Sequence, residues 1–169
     1  MNLFAVDPCP IVSARSLADR HVVKMAVETA QVLWTALHLS APPDALPEGG
    51  YRPTHRGHPV VRWAALSRGN AAWAAEHGLA LCAEYQHRYG RAHGSLAPTE
   101  RALALLDLLP DGPLTPFALA LDDDLRDPGD PHGSIRRYLA RKYERWGSAA
   151  RWTRREPPPW AVVERDEIA

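Results

Sequence analysis

Residues 17–34, LADRHVVKMAVETAQVLW, place His21, Lys24, Glu28 and Gln31 among mainly apolar neighbours. On an α-helix, His21, Lys24, Glu28 and Gln31 fall within one arc about 80° wide. The opposite face carries the residues expected to enter the core: Val23, Ala26, Val27, Ala30, Leu33, Trp34 and Leu37. A buried polar group without a partner costs about 1–3 kcal/mol. The polar arc is therefore expected to face a polar cluster or a cleft.

A lysine and a glutamate one helical turn apart suit amine chemistry. A lysine shielded from water loses its proton more readily, and a neighbouring carboxylate can accept that proton. Lys24 and Glu28 therefore form a candidate nucleophile and base, and His21 is a candidate proton shuttle. The alternative for Lys24 and Glu28 is an ordinary ion pair at i,i+4 spacing.

A second long helix carries a matching polar and aromatic face. Its members Trp63, Asn70, Trp73, His77, Glu84 and Arg88 also share an arc of about 80°. Two such faces indicate a pocket between the helices, with the preceding loop at its mouth. The predicted substrate-binding residues are Gln31, His55, His58, Trp63, Asn70, Trp73, Glu84, Tyr85 and Arg88. The alternative is a satisfied buried network that has no catalytic role.

Imidazoles and a carboxylate also suggest a metal site as an alternative. His21, Glu28, His55 and His58 provide the ligand types that iron and zinc prefer. The spacing of HRGH does not match a helical metal motif, and a chain with eight histidines forms such groupings by chance. We therefore expect no cofactor, with iron or zinc at these four residues as the alternative.

The charge of the chain is balanced overall but unevenly distributed. The formal net charge is +0, which argues against a generic polyanion-binding protein. Residues 136–155 contain eight basic residues and one acidic residue, whereas residues 107–130 contain seven aspartates and one basic residue. The basic segment is either a solvated helix face or a phosphate-binding surface. The predicted phosphate contacts are Arg137, Arg141, Lys142, Arg154 and Arg155.

The hydrophobic periodicity predicts a mainly α fold: a compact single-domain bundle of about four helices with long proline- and glycine-rich loops. The expected helices run from Ser13 or Ser16 to about Ser40, from about Val60 to Tyr89, from Thr99 to Pro110, and across SIRRYLARKYERW. NLFAVD is expected to be a strand or an extended arm. The domain is expected to span residues 1–160, followed by a polar tail at 161–169.

Two cysteines in no recognisable pattern, no secretory signal and no apolar run of about 20 residues predict a cytoplasmic protein that does not contact a membrane.

Four stretches resemble a largely uncharacterised family of small phage and bacterial proteins: DRHVVKMAVETAQVL, RPTHRGHPVVRW, EYQHRYGRAHGS and WTRREPPPW. More distantly, LADRH with Glu28 seven residues after His21 is similar to the first helix of the phage pyrimidine-dimer DNA glycosylases (endonuclease V). Pro53–Thr54 resembles the Pro-Thr that precedes the next long helix of that family. The resemblance implies a small all-helical enzyme in which Glu28 is catalytic and His21 lies at the DNA. That family attacks the sugar C1′ with its N-terminal amine, forms a Schiff base and cleaves the strand.

The chain departs from this pattern at several positions. Asn2 stands where the family has a threonine, and its bulk is expected to retain Met1. Val27 and Gln31 replace arginines that bind phosphate in the family, and Lys24 is the candidate replacement amine.

The sequence predicts a DNA glycosylase or glycosylase/AP-lyase acting on DNA or a nucleotide, with Glu28, Lys24 and His21 catalytic. A metal-dependent enzyme on a small substrate and a non-catalytic helical nucleic-acid-binding protein are the alternatives. The lesion and the oligomeric state are left open.

Overall fold

The computed structural model describes residues 2–162. Six α-helices follow one another along the chain: α1 (Pro10–Ser16), α2 (Asp19–Ser40), α3 (Pro59–Leu66), α4 (Arg68–Tyr89), α5 (Leu96–Leu103) and α6 (Pro131–Trp146). No strand forms in this described part of the chain, so the predicted mainly α class is confirmed. Residues 2–162 contain six α-helices rather than the predicted four or so.

The first predicted long helix is interrupted between α1 and α2. The backbone is extended at Leu17 and Ala18, with ψ angles of 144° and 156°. The Ala18 N–H donates to the Tyr143 hydroxyl at 3.2 Å, and the Asp19 N–H donates to the Arg151 carbonyl at 2.8 Å. The C-terminal part of the chain thus accepts hydrogen bonds that a continuous helix would have made internally.

The second predicted long helix is interrupted at Ser67, between α3 and α4. Ser67 is extended, with φ −153°, and its hydroxyl accepts from the Asn70 N–H at 3.2 Å. This is an N-cap, which satisfies one of the N–H groups left open at the start of α4. The third helix also differs from expectation, since α5 ends at Leu103 and only a short 3₁₀ turn, Leu106–Leu108, continues it.

The central helix α2 packs against α3, α4 and α5. Its buried face is rotated from the predicted one, because Val23 is 41% exposed whereas Val22, Met25 and Val32 are buried. The reason is tertiary: Phe4 of the N-terminal segment and Trp146 of α6 both contact His21. They cover the side of α2 that the sequence pattern assigned to a polar arc.

The N-terminal segment Leu3–Val6 is the predicted extended arm, and it is buried. His132 Nδ1 lies 2.7 Å from the Ala5 carbonyl, and Arg136 Nε donates to the Val6 carbonyl at 2.6 Å. These contacts hold the N-terminal segment on α6, and Asn2 lies beside the middle of α2.

The long loop 41–58 crosses α2 on its way to α3. The Thr54 N–H donates to Thr35 Oγ1 on α2 at 3.1 Å, and Gly50 packs directly on the Trp34 ring. Cys9 and Cys82 are free thiols, as predicted. From residue 2 to residue 162, none of the helices has the length and apolar character needed to cross a membrane. Most of the predicted polar tail, residues 163–169, lies outside the described residues.

Candidate active site

Each carboxylate oxygen of Glu28, on α2, lies at hydrogen-bond distance from a nitrogen atom. The backbone N–H of Asn2 donates to Oε2 at 3.1 Å, and Lys24 Nζ lies 3.0 Å from Oε1. The Glu28 side chain is only 13% exposed. A shielded carboxylate with nitrogen groups at hydrogen-bond distance can accept a proton and can stabilise a positive charge that develops beside it.

Lys24 does not have the environment that the sequence predicted. Its side chain is 65% exposed, so the expected shielding from water is wrong. The ion pair with Glu28 at i,i+4 spacing is present. Lys24 therefore remains a candidate amine because of its position beside the carboxylate rather than because of burial.

His21 is buried in a box of aromatic rings. Its ring centroid lies 4.8 Å from that of Phe4 and 4.7 Å from that of Trp146, and its Nδ1 lies 2.9 Å from the Tyr143 hydroxyl. Burial, followed by the charges of Lys142 and Lys24, lowers the pKa of His21 to about 3. A neutral imidazole with such a pKa is a poor acid at neutral pH, so the geometry does not favour the predicted proton shuttle. It favours a role in positioning α2 against α6.

The loop before α3 carries two of the predicted binding residues, His55 and His58. His58 Nδ1 accepts from the Val60 N–H at 3.3 Å and so caps α3. Burial lowers the pKa of His58, and the charge of Glu28 acts in the opposite direction, which places the carboxylate within electrostatic reach of the ring. His55 has a left-handed backbone, with φ 51°, and its Nδ1 lies 2.7 Å from Thr54 Oγ1. Side chains held in such a sparsely populated conformation are concentrated at functional sites.

A family model described as pyrimidine dimer DNA glycosylase matches residues 1–95. The matched region contains α1 to α4 and both Asn2 and Glu28. The chain belongs to the pyrimidine dimer DNA glycosylase family. The predicted resemblance is thereby confirmed, and membership supports a DNA glycosylase-like function in DNA repair with DNA as the substrate. Searches of curated proteins and of solved structures gave no match.

The predicted cleft between α2 and the α3–α4 face is filled by side chains. Trp63 and Trp73 are each 6% exposed, and both contact the Phe117 ring. Asn70 Nδ2 donates to the Trp63 carbonyl at 2.8 Å, and Asn70 Oδ1 accepts from the Thr115 N–H at 2.7 Å. These three predicted binding residues therefore pack the core and attach the segment at 115–117. Gln31 is half-buried, one turn beyond Glu28.

Glu84 and Arg88 form a buried ionic network rather than a binding surface. The Arg88 side chain is 0% exposed and donates to Glu84 Oε1 at 2.7 Å, to Asp19 Oδ1 at 2.8 Å and to the Arg15 carbonyl at 3.1 Å. Burial alone would raise the pKa of Glu84, but hydrogen bonds from Arg155 and Arg88 outweigh it and lower that pKa. Tyr85, also predicted to bind substrate, is 8% exposed, and its hydroxyl accepts from Arg91 Nε at 2.9 Å.

Of the five predicted phosphate contacts, three are paired with carboxylates. Arg137 lies 3.6 Å from Asp130, Arg141 lies 2.6 Å from Asp124, and Arg155 binds Glu84. The remaining two are Lys142, over the Tyr138 and Trp146 rings, and Arg154, which donates to the His87 carbonyl at 2.9 Å. Two of these pairs, those of Arg137 and Arg141, are formed with aspartates of the acidic segment.

The alternative metal site is not formed. Within residues 2–162, no group of three or more His, Cys, Asp or Glu side chains could hold a metal ion. His21, Glu28, His55 and His58 therefore do not make a common ligand set. The expectation that the protein uses no cofactor stays a prediction.

The sequence argument missed the contribution of residues outside the polar arc. Asn2 reaches Glu28, and Phe4, Tyr143 and Trp146 surround His21. One usable signal was present: Tyr138, Lys142 and Trp146 recur at i, i+4 and i+8, which places them on one face of α6.

Proposed function

We propose that the chain removes a damaged pyrimidine from DNA by attack of an amine on the sugar C1′ and then cleaves the strand. The observation that carries this proposal is the arrangement at Glu28, where both carboxylate oxygens lie within 3.1 Å of a nitrogen atom. Family membership supports the DNA substrate.

The chemistry begins with a neutral amine, because a protonated one has no electron pair to donate. Glu28 accepts the amine's proton, and the amine nitrogen forms a bond to C1′. The bond between C1′ and the base breaks, its electron pair leaves with the base, and the base takes up a proton. The C1′–O4′ bond then breaks, O4′ takes up the proton that Glu28 accepted, and C1′ becomes an iminium, which is the Schiff base. Loss of the C2′ proton and departure of the 3′ phosphate cleave the strand by β-elimination.

Two nitrogen atoms are candidates for this amine. Lys24 Nζ is a primary amine wherever the chain begins, and it lies on Oε1. The backbone nitrogen of Asn2 lies on Oε2 and would be a primary amine only in a molecule that begins at Asn2. We propose Lys24 as the nucleophile of a chain that retains the preceding residue. His58 is proposed to contact the nucleotide at the mouth of the site.

The experiment uses a duplex oligonucleotide containing one cyclobutane pyrimidine dimer, incubated with the protein and sodium borohydride. The expected result is a covalent protein–DNA adduct and a cleaved strand. Glu28→Gln should bind the same duplex and lose about 100-fold or more in single-turnover rate, since acid–base catalysis contributes about 10²–10⁴-fold. Glu76→Gln is the matched control, because it removes the same charge from an exposed glutamate on α4.

Peptide mapping of the adduct identifies the amine, and the intact mass of the purified protein gives its first residue. An adduct on Lys24 that disappears in Lys24→Gln supports the proposal. An adduct on an α-amine would show that the nucleophile is the terminal nitrogen and not Lys24. Cleavage of the glycosidic bond without any trapped adduct would overturn the amine mechanism.

A further inference from the structure

At the seam between α2 and α6, one cation from each helix lies over the same indole ring. Arg20 and Lys24 lie one turn apart on α2, and Lys142 lies on α6. The Arg20 guanidinium carbon is 5.4 Å from the Trp146 ring centroid, and Lys142 Nζ is 5.8 Å from the same centroid. We call Arg20 and Lys142 the α2–α6 cation cluster.

Arg20 and Lys142 both contact aromatic rings rather than carboxylates. Lys142 Nζ also lies 5.4 Å from the Tyr138 ring centroid and 3.4 Å from the Tyr138 hydroxyl. Among residues 2–162, neither Arg20 nor Lys142 forms an ion pair. The Asp19 carboxylate, next to Arg20 in sequence, binds Arg88 and Thr153 instead. Cation–π contact restricts a side chain without neutralising its charge.

The electrostatic effect of the cluster is seen at His21. The charges of Lys142 and Lys24 both lower the pKa of the imidazole, after burial, so both ammonium groups lie near the same ring. By contrast, Arg137 and Arg141 on α6 are paired with aspartates. Arg20 and Lys142 at the seam therefore differ from these two arginines in having no carboxylate partner in the described part of the chain.

We infer that the α2–α6 cation cluster binds backbone phosphates of the DNA strand whose damaged nucleotide lies at Glu28. This inference rests on the proposed function. Arg20 and Glu28 are eight residues apart on α2, which is about 12 Å along the helix axis. That distance equals three to four nucleotide steps, at about 3.4 Å of rise per charge on each strand. The cluster thus binds the strand on one side of the target nucleotide.

The test measures how DNA affinity depends on salt. The probe is a duplex carrying a tetrahydrofuran abasic analogue, which binds without being cleaved, titrated between 50 and 200 mM NaCl. Each phosphate contact contributes about 0.9 to the slope of log K against log salt. Arg20→Gln and Lys142→Gln should each lower the slope by about 0.9, which corresponds to an affinity about five-fold weaker at 0.15 M salt.

Arg101→Gln is the matched control, since Arg101 is an exposed arginine on α5 and its substitution removes the same charge. It should leave the slope unchanged, and circular dichroism melts of all three variants should match the unaltered protein. Slopes for Arg20→Gln and Lys142→Gln that equal the Arg101→Gln slope would overturn the inference.

The two proposals fail separately. Normal borohydride trapping with unchanged slopes would retain the proposed function and reject the cluster. Reduced slopes in a protein that traps no adduct would retain the cluster as a DNA-binding surface and reject the amine mechanism.

Discussion

Replacing Arg88 by methionine should destabilise the fold, because Arg88 joins three parts of the chain inside the protein. Its guanidinium binds Glu84 on the same helix, Asp19 at the start of α2, and the Arg15 carbonyl at the end of α1. The Arg88 and Glu84 side chains are 0% and 2% exposed. Methionine fills a similar volume but removes the charge and all three hydrogen bonds.

The magnitude follows from the groups left behind. Removing one partner of a buried ion pair costs about 3–5 kcal/mol, because the other charge stays buried. Glu84 keeps Arg155, with oxygen–nitrogen distances of 2.9 Å at both carboxylate oxygens, and Asp19 keeps Thr153. We therefore expect the lower end, about 3 kcal/mol. At about 2–4 °C per kcal/mol for a chain of this length, the melting temperature should fall by about 6–12 °C.

The assay is urea unfolding monitored by circular dichroism. Arg68→Met is the control, since Arg68 is 42% exposed and its partners Asp107 and Asp111 are 87% and 90% exposed. Such a surface pair contributes about 0–1 kcal/mol. The double variant Arg88→Met with Glu84→Met should lose less than the sum of its two single variants, since no buried carboxylate remains. Equal effects for Arg88→Met and Arg68→Met would refute the reasoning.

Two further predictions concern pH and the loop over α2. Burial lowers the pKa of His21 to about 3 and that of His77 to about 4, so below pH 6.5 the unfolded chain binds more protons. Stability should be complete above pH 6.5 and fall toward pH 4 by about 1.4 kcal/mol per pH unit for each imidazole; urea midpoints that stay constant from pH 7 to pH 5 would contradict this. Gly50→Ala should cost about 1–3 kcal/mol because its methyl group would overlap the Trp34 ring. Gly57→Ala, with no atom within 4 Å of the added methyl group, should leave the urea midpoint unchanged.

Helical periodicity predicted where the helices of this chain lie, but it did not predict where they break. At Leu17–Ala18 the break depends on the Tyr143 hydroxyl and the Arg151 carbonyl, which lie more than 120 residues away in sequence. A local pattern contains no information about such partners. The break at Ser67 could have been predicted, because a serine three residues before Asn70 is a usable N-cap signal within an otherwise continuous pattern.

The sequence predicted only part of the candidate site, because some of the contacts in it come from residues far away in sequence. Spacing and resemblance both pointed to Glu28, and its pairing with Lys24 follows from their i,i+4 positions. The nitrogen atom on the other carboxylate oxygen belongs to Asn2, which reaches Glu28 only through the fold. Glu84 and Arg88 were expected to line a cleft, but the Asp19 and Arg155 that enclose them lie far away in sequence.

The course of the N-terminal arm has a consequence for how the protein is made. The arm is synthesised before its partners: Asn2 Nδ2 donates to the Ala120 carbonyl, and the arm's other partners, His132 and Arg136, come later still. At about 5–20 residues per second, roughly 6–24 s separate the synthesis of Asn2 from that of Ala120. During that interval the nascent chain carries Glu28 but lacks the surface that holds Asn2 against it. A messenger truncated after residue 95 would therefore encode the whole region matched by the family and still yield an incomplete site.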